Sequence, residues 1–359
     1  MTGTSIDGLD AALVSIDGEG LDMTAKVVRT LSKPLGPCGA DLQRMAQQRP
    51  LTSAQTAQTS AEFALLHAKT CRELAGKSKI DLVSVHGQTV YHHPPLSWQF
   101  LNAAPIAREM NAPVVFDLRA ADLAAGGQGA PITPIADWVL FRKLNSYWAV
   151  VNLGGFCNVT FAPDGVKAKR KGSAAEQLKL IGGLDVCVCN QLLDQIARDI
   201  LKMPYDEGGA HALKGRCNDD ALWDLSGVLS GQTRSGRSLG TGDELSDWVG
   251  RFRKKLSPKD LAATACEGIA QAIAQRIGDV DRILLAGGGA KNKALFKSLD
   301  AACTGKVEST DDHGVPSSYR EAVCMAVLGA LCQDRVPITL QQVTNFQGAP
   351  PMSGSWVLP

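Results

Sequence analysis

The sequence predicts an α/β protein built from two similar domains. Its 359 residues are too many for one ordinary core. Short apolar stretches followed by polar, glycine-containing loops recur along the chain, and the second half weakly repeats the order of the first. We interpret the following stretches as strands: 10–17, 23–31, 80–87, 112–119, 148–155 and 281–289. Because ligands of α/β folds bind at strand ends, we expect the functional residues in these loops.

The same pattern predicts where the domains divide. A helical stretch, ADWVLFRKL, leads into the strand at 148, which begins the second series. We therefore expect domain I at 1–140 plus 335–359 and domain II at 141–334, with a cleft between them. Apolar periodicity predicts helices over 53–76 and 317–333.

Composition and charge exclude several classes of protein. A formal net charge of +1, without basic runs, does not favour nucleic acid or an anionic membrane as partner. No apolar run approaches the roughly 20 residues of a membrane helix, and the first residues do not resemble a signal peptide. The ten cysteines are then expected to be reduced thiols in the cytoplasm. Cys187 and Cys189 are the only close pair, too few for a tetrahedral metal site.

Three glycine-containing segments are candidates for binding phosphate. They are GTSIDG at 3–8, NLGGFCN at 152–158 and GGGAKN at 287–292. Small residues let backbone N–H groups approach phosphate oxygens, and Asp7 could hold Mg²⁺ through water. Simple turns would also explain the first two segments, whereas three consecutive glycines cost chain entropy and favour a ligand. The candidate residues are Gly3, Thr4, Ser5, Asp7, Gly154, Gly155, Asn158, Gly287, Gly288 and Gly289.

Polar loops of the first half supply the donors and acceptors that a hydroxyl-rich ligand such as a sugar needs. The candidates are His86, Gln88, Thr89, Asp117, Arg119 and Gln128. Alternatively, His86 is a satisfied loop histidine, and Arg119 forms an ion pair with Asp117 or Asp122.

Two isolated acids complete the set. Asp185 precedes a predicted helix, and Glu321 opens the apolar helix at 317–333. A carboxylate at a helix start is commonly a cap or a partner of the helix dipole. The sequence leaves both this role and that of a general base open.

Taken in order, these segments resemble the anhydro-N-acetylmuramic acid kinase family, part of the superfamily of actin and hexokinase. MTGTSIDGLDAAL is similar to the family's first phosphate loop, and VHGQTVYHHP to its H-G-Q-T segment. VVFDLRAADLAAGGQGAPITP resembles its most distinctive stretch, and VVNLGGFCNVT its second phosphate segment. The segments YDEGGAHALKG, DLAATACEGIA, ILLAGGGAKNKAL and EAVCMAVLGAL follow in the family's order.

The resemblance implies two actin-like (ribonuclease H-like) domains and ATP and Mg²⁺ as cofactors. It implies a cytoplasmic enzyme of cell-wall recycling, and it leaves both a monomer and a homodimer open. The implied reaction converts 1,6-anhydro-N-acetylmuramic acid, ATP and water to N-acetylmuramic acid 6-phosphate and ADP. Asp185 matches the family's catalytic aspartate, and Glu321 matches an acid near the sugar.

The chain departs from the family pattern at three places. The catalytic loop G-x-D-T-G-P-G-N is here 183–190, GLDVCVCN, so that Val186, Cys187 and Cys189 replace a threonine and two glycines. If those glycines have positive φ, each cysteine costs roughly 1–2 kcal/mol. The segment 237–242 differs from P-K-S-T-G-R-E, and the strand before the first phosphate loop is missing. Two alternatives therefore stay open: a kinase-fold protein that binds ligand without efficient catalysis, and a kinase of another sugar.

Overall fold

The computed structural model describes residues 1–3, 6, 8–144, 146–162, 173–234, 239, 243 and 245–359. The chain divides into two compact units. Unit 1 comprises Met1–Lys143, Ser173–Lys179 and Tyr319–Pro359, and unit 2 comprises Leu144–Gly172 and Leu180–Ser318. Within the described ranges, no helix is both long and apolar enough to span a membrane.

Twelve strands occur in the described residues. They are β1 (Leu9–Asp17), β2 (Thr24–Lys33), β3 (Val83–Ser84), β4 (Gln88–His93), β5 (Leu96–Phe100), β6 (Val114–Phe116), β7 (Trp148–Leu153), β8 (Phe156–Ala162), β9 (Gly182–Val188), β10 (Arg282–Ala286), β11 (Lys306–Ser309) and β12 (Ser355–Val357).

Thirteen α-helices accompany these strands in the same part of the chain. They are α1 (Cys38–Ala46), α2 (Ser53–Ala75), α3 (Ala104–Met110), α4 (Ala120–Ala124), α5 (Pro134–Phe141), α6 (Ala174–Leu178), α7 (Asn190–Ile196), α8 (Asp219–Arg234), α9 (Ser246–Phe252), α10 (Pro258–Ile277), α11 (Lys293–Ala302), α12 (Arg320–Gln333) and α13 (Gln341–Thr344).

Unit 2 contains a five-stranded sheet with the order β11-β10-β7-β8-β9. Strands β7, β10 and β11 are parallel, and β8 runs antiparallel to both β7 and β9. This order and these directions are those of an actin-like, ribonuclease H-like domain. Every residue of β7 is buried, because a parallel strand in the middle of such a sheet is covered on both faces.

Unit 1 has its strands in separate sheets. Strands β1 and β2 form an antiparallel pair, whereas β3 pairs with β6 in a second sheet of order β12-β6-β3. In unit 2 a central strand, β7, joins the hairpin strand β8 to β10. No described strand of unit 1 occupies the corresponding place between β1 and β3.

Helix α12 belongs to unit 1, whereas the sequence-based division placed it in domain II. It packs against β1, β3 and α5 of unit 1. The buried side chains of Arg320 and Asp137 form an ion pair, in which Arg320 Nε donates to Asp137 Oδ1 over 2.8 Å. Arg320 Nη2 also donates to Thr133 Oγ1 over 3.1 Å. Because a buried charge is tolerated only with a partner, this pair fixes the start of α12, where Glu321 lies.

Candidate active site

The second phosphate segment forms the turn between β7 and β8 in unit 2. The chain that follows β9 covers this turn, because Cys189 N donates to Gly155 O over 2.9 Å and Asn190 N to Gly154 O over 3.0 Å. The Asn190 side chain adds a bond from Nδ2 to Leu153 O of 2.9 Å. The hairpin turn and the start of α7 are therefore one hydrogen-bonded assembly.

The glycine loop after β10 lies on the same turn. Gly287 has a φ of +82°, and a Cβ added there would meet Leu153 O at 2.7 Å. A Cβ on Gly289 would meet both Leu153 Cβ and Asn190 Oδ1 at 2.7 Å. Close packing within unit 2 therefore accounts for these two glycines. Only Gly288 is exposed, and the nearest atom to an added Cβ would be Asn190 Nδ2 at 3.8 Å.

The sequence analysis favoured a ligand as the reason for three consecutive glycines, whereas packing explains two of them. Two of them bring the loops after β7 and β10 together, and only Gly288 has unexplained open space around its backbone. Gly154 and Gly288 thus belong to one group of loops at the carboxyl ends of the parallel strands β7 and β10. Such strand ends are where α/β folds bind ligands.

Asp185 lies on β9, directly opposite Asn158 of β8. Its side chain is half-buried, and Leu239 N donates to its Oδ2 over 2.8 Å. A register shift between Cys157 and Asn158 precedes this pair. The strand pairing therefore brings together the predicted catalytic acid and one predicted phosphate-binding residue.

The altered catalytic loop is a buried strand rather than a strained turn. Val186, Cys187 and Val188 continue β9, and all three are fully buried in the core of unit 2 together with Cys189. None of them has a positive φ. The strain expected from a positive φ is therefore absent, and these side chains are buried in the core of unit 2.

Burial also determines the protonation state of these two cysteines. It raises the pKa of Cys187 to about 12 and that of Cys189 well above its usual value. Both are therefore protonated thiols at neutral pH, whereas a metal would need thiolates. Among the described residues, no group of three His, Cys, Asp or Glu side chains could hold a metal ion.

His86 and Arg119 meet in unit 1, at the carboxyl ends of β3 and β6. Arg119 Nε donates to His86 Nε2 over 3.3 Å, and Arg119 Nη1 donates to Gly129 O over 2.9 Å. Burial and the Arg119 charge hold the pKa of His86 well below its usual value. Because Nε2 accepts, the proton of the neutral ring lies on Nδ1. Nδ1 is buried and has no hydrogen-bond partner within the described residues, so the protein itself satisfies only one of the two ring nitrogens of His86.

Further polar atoms near His86 also lack protein partners. Gln88 is 1% exposed, and its Oε1 has none. The same holds for Nε2 of His92, whose pKa burial lowers to about 4. Thr89 Oγ1 accepts from Gln99 Nε2 over 3.4 Å. Since buried polar atoms are nearly always hydrogen-bonded, buried polar atoms without a protein partner are typical of a site for a polar ligand.

The aspartates beside Arg119 have different environments. Asp122 is fully buried and accepts from Gly129 N over 2.7 Å and from Thr344 Oγ1 over 2.6 Å. It therefore holds the glycine-rich loop that contains Gln128. Asp117 has a φ of +54°, unusual for a non-glycine residue, and burial raises its pKa. Strained backbone of this kind is common at ligand sites.

Several predicted residues lie outside the described part of the chain, and others belong to different units. Thr4, Ser5 and Asp7 lie outside the described residues, as do 237, 238 and 240–242. Gly3 is described, and its carbonyl accepts from Ile6 N over 3.2 Å. Glu321 belongs to unit 1 and Asp185 to unit 2. Asn190 is not among the site residues predicted from the sequence, although its position directly after the altered loop was a signal for it.

Comparisons with known sequences match the chain to one family. The sequence model of the family described as anhydro-N-acetylmuramic acid kinase matches residues 1–353. A curated relative of that name from Salinibacter ruber is 32% identical over 388 residues, covering 100% of this chain and 95% of the relative. A relative of the same name from Bordetella avium is 32% identical over 361 residues, covering 97% of this chain and 92% of the relative.

Similarity to solved structures is more distant. A ROK family glucokinase from Streptomyces griseus, in complex with glucose and AMPPNP, is 13% identical with a TM-score of 0.38. The match covers 89% of this chain and 98% of that one. At this distance the match does not bear on function.

Proposed function

The chain belongs to the anhydro-N-acetylmuramic acid kinase family, and from that premise we propose that Asp185 is the general base of its reaction. As a member, it is a sugar kinase that uses ATP and an anhydro amino sugar. The single observation that carries the proposal is the position of the Asp185 carboxylate. It is half-buried on β9, oriented by the Leu239 N–H, and opposite Asn158 in the unit that holds the glycine loops.

The proposed reaction uses one water molecule and one phosphoryl transfer. Asp185 accepts a proton from water, whose oxygen attacks the anomeric carbon of the sugar. The bond between that carbon and O6 breaks, and the released O6 attacks the γ-phosphorus of ATP. ADP leaves and Asp185 releases its proton to solvent, so that the products are the 6-phosphorylated sugar with its 1,6-bridge opened, ADP and a proton. No covalent enzyme intermediate is needed, because water itself is the nucleophile at carbon.

We propose that the ATP phosphates bind at the loops after β7 and β10. The exposed backbone of Gly288 and the turn at Gly154–Gly155 support this, because phosphates are bound by backbone N–H groups that no side chain shields. Asn190 positions these loops by its bond to Leu153 O. Gly3, Thr4, Ser5 and Asn158 complete the proposed set by their place in the sequence.

Mg²⁺ is the proposed metal, and when bound it neutralises charge on the ATP phosphates. The described side chains do not form a metal cage. Mg²⁺ usually keeps several waters and binds through substrate phosphates plus one or two carboxylates, so a cage is not required. Asp7 is the candidate carboxylate.

The sugar is proposed to bind at the polar group in unit 1. The His86 Nδ1–H is a buried donor and Gln88 Oε1 a buried acceptor, each without a protein partner, and sugar hydroxyls would satisfy both. Arg119 acts as a positioning residue, because its bond to Nε2 fixes the proton of His86 on Nδ1. Thr89, Asp117, Gln128 and Glu321 are further candidates for contacts with the sugar.

The cytoplasm is the proposed location, which the ten free cysteines support. A homodimer is proposed from the resemblance alone, and light scattering would give twice the mass of 38.0 kDa.

Replacement of Asp185 tests the proposed function. The Asp185→Asn variant keeps an oxygen that accepts from Leu239 N but cannot take a proton, so we expect ADP release to fall at least about 100-fold. ATP affinity and thermal unfolding should stay unchanged. Asp199→Asn removes an exposed carboxylate from the same unit and serves as matched control with full activity. Wild-type turnover by Asp185→Asn would contradict the assignment, and wild-type protein that binds ATP and sugar without releasing ADP would favour the non-catalytic alternative.

A further inference from the structure

Strand β9, which carries Asp185, is the last strand of the five-stranded sheet of unit 2. One of its edges pairs with β8, and no described strand pairs with the other. Cys189, directly after β9, donates its N–H to Gly155 O on the β8 side. Because N–H groups alternate between the two edges of a strand, Val188 directs its N–H to the opposite edge. Val188 is fully buried, so this N–H needs an acceptor from another element.

Helix α8 provides that acceptor from its last turn. Its buried residues include Leu229, and side chains three and four positions later lie on the same face of a helix. These side chains are Gln232 and Thr233. Gln232 Oε1 accepts from Val188 N over 3.0 Å. Thr233 Oγ1 donates to Val186 O over 2.9 Å, the nearer of its two acceptors. Both side chains therefore bind the outer edge of β9.

The other end of the Gln232 amide holds a different part of the chain. Its Nε2 donates to Asp243 O over 2.6 Å. Four residues earlier, Leu239 N donates to Asp185 Oδ2 over 2.8 Å. Both Leu239 and Asp243 are buried. One side chain thus joins the strand that carries Asp185 to the segment that orients the Asp185 carboxylate.

This bridge determines how firmly the carboxylate is held. The last torsion of an aspartate is soft, so the direction of its oxygens depends on their hydrogen-bond partners. The Leu239 N–H can therefore fix Asp185 only while its own segment keeps its place relative to β9. Gln232 maintains that place by accepting a bond from the strand and donating one to the segment. An apolar side chain of the same length would leave both partners without these bonds.

We propose that Gln232 is a positioning residue for the general base. It holds the segment that contains Leu239 and Asp243 against β9, so that Asp185 keeps the orientation in which it accepts a proton from water. Gln232 acts through Leu239 and not on the substrate. The inference rests on the proposed role of Asp185. Both ends of the bridge lie in or beside the stretches 183–190 and 237–242, where the sequence departs from the family pattern.

Two substitutions in the same helical turn test this role. Gln232→Met keeps the length of the side chain and removes both hydrogen bonds. We expect kcat to fall at least about 10-fold with KM for sugar and ATP unchanged, because the orientation of the base matters in the transition state and not in ground-state binding. The matched control Thr233→Val removes a bond to the same strand but leaves the bridge intact. It should lower Tm about as much as Gln232→Met and keep kcat within about twofold.

Hydrogen exchange gives a measurement that does not depend on activity. The amide of Leu239 should exchange at least about 10-fold faster in Gln232→Met than in wild type or Thr233→Val, because the segment is no longer held against β9. Val151 on β7 is the internal reference and should not change. Gln232→Glu keeps the acceptor for Val188 N and replaces the donor to Asp243 O by a carboxylate oxygen. It should lower kcat as Gln232→Met does, which tests the bridge even if Gln232→Met fails to fold.

A double variant separates this inference from the proposed function. If Gln232 acts through Asp185, adding Gln232→Met to Asp185→Asn should lower turnover no further. A further 10-fold fall would overturn the positioning role. So would equal losses of kcat in Gln232→Met and Thr233→Val, or wild-type kcat in both Gln232 variants, and in these cases a slow Asp185→Asn would leave the general base in place. Wild-type turnover by Asp185→Asn would overturn the general base and the positioning role together.

Discussion

Substitution of Gly288 by alanine separates nucleotide binding from folding. The added Cβ would meet no atom closer than 3.8 Å, and Gly288 does not have a positive φ. A Gly→Ala change at such a position leaves the free energy of unfolding unchanged or raises it by about 0.4–1 kcal/mol. If the ATP phosphates approach this backbone, the methyl group blocks them, and we expect the Kd for ATP to rise at least about 10-fold, or about 1.4 kcal/mol.

Gly289→Ala is the matched control within the same loop. Its Cβ would lie 2.7 Å from both Leu153 Cβ and Asn190 Oδ1, so the change overpacks the interior of unit 2. Overpacking of this kind costs about 1–3 kcal/mol, which corresponds to a decrease in Tm of about 2–4 °C for each kcal/mol. Titration calorimetry with a non-hydrolysable ATP analogue and thermal unfolding would be measured for both variants. Unchanged affinity in a stable Gly288→Ala protein would refute the placement of the phosphates.

Three other outcomes are expected. The pKa of His67 is lowered by burial to about 3, so the unfolded chain binds a proton below about pH 6.5 that the folded chain does not, and stability falls as the pH drops. Urea unfolding at pH 7 and pH 5 should show this loss of stability. In His67→Gln, the decrease in the free energy of unfolding as the pH falls should be smaller by about 1.4 kcal/mol per pH unit. Arg119→Lys should raise the KM for the sugar about 10-fold and leave kcat and ATP affinity nearly unchanged. The control Arg108→Lys changes an exposed arginine and should leave KM, kcat and ATP affinity unchanged. A fall in kcat without a change in KM would contradict a positioning role for Arg119. A thiol reagent should modify exposed Cys217 in the native protein and buried Cys187 only after unfolding, and rapid modification of Cys187 would contradict its place in the core.

The strands and glycine loops could be predicted because each depends on local pattern. Apolar runs ending in glycine mark buried strands, and the order of the runs indicates the α/β class. His86 and Arg119 were both predicted because they follow β3 and β6, whose carboxyl ends lie at one edge of a sheet. Their hydrogen bond, and with it the tautomer of His86, depends on tertiary geometry that no local pattern encodes.

The altered loop shows where sequence reasoning failed. The sequence predicts strain at Cys187 and Cys189 on the condition that the glycines they replace have positive φ, and neither cysteine does. The chain instead extends β9 through Val188, and apolar side chains at these positions fill the core. The pairing of Asp185 with Asn158 follows from a register shift between β8 and β9 that leaves Val186 without a partner residue, and no sequence pattern indicates this shift.

The placement of α12 failed for a related reason. Its apolar residues predict a buried helix but not the sheet that it covers. The ion pair of Arg320 with Asp137, 183 positions apart in the chain, fixes it in unit 1. Long-range pairs of this kind are invisible to periodicity.

The most direct test of the account is the fate of water oxygen. Wild-type protein would be incubated in ¹⁸O-labelled water with ATP, Mg²⁺ and 1,6-anhydro-N-acetylmuramic acid, and the sugar product analysed by mass spectrometry at once, before exchange at the anomeric carbon. We predict one ¹⁸O atom at that carbon, none in the transferred phosphoryl group, and no labelled product from Asp185→Asn. Label in the phosphoryl group or in inorganic phosphate, with an unlabelled sugar, would contradict it.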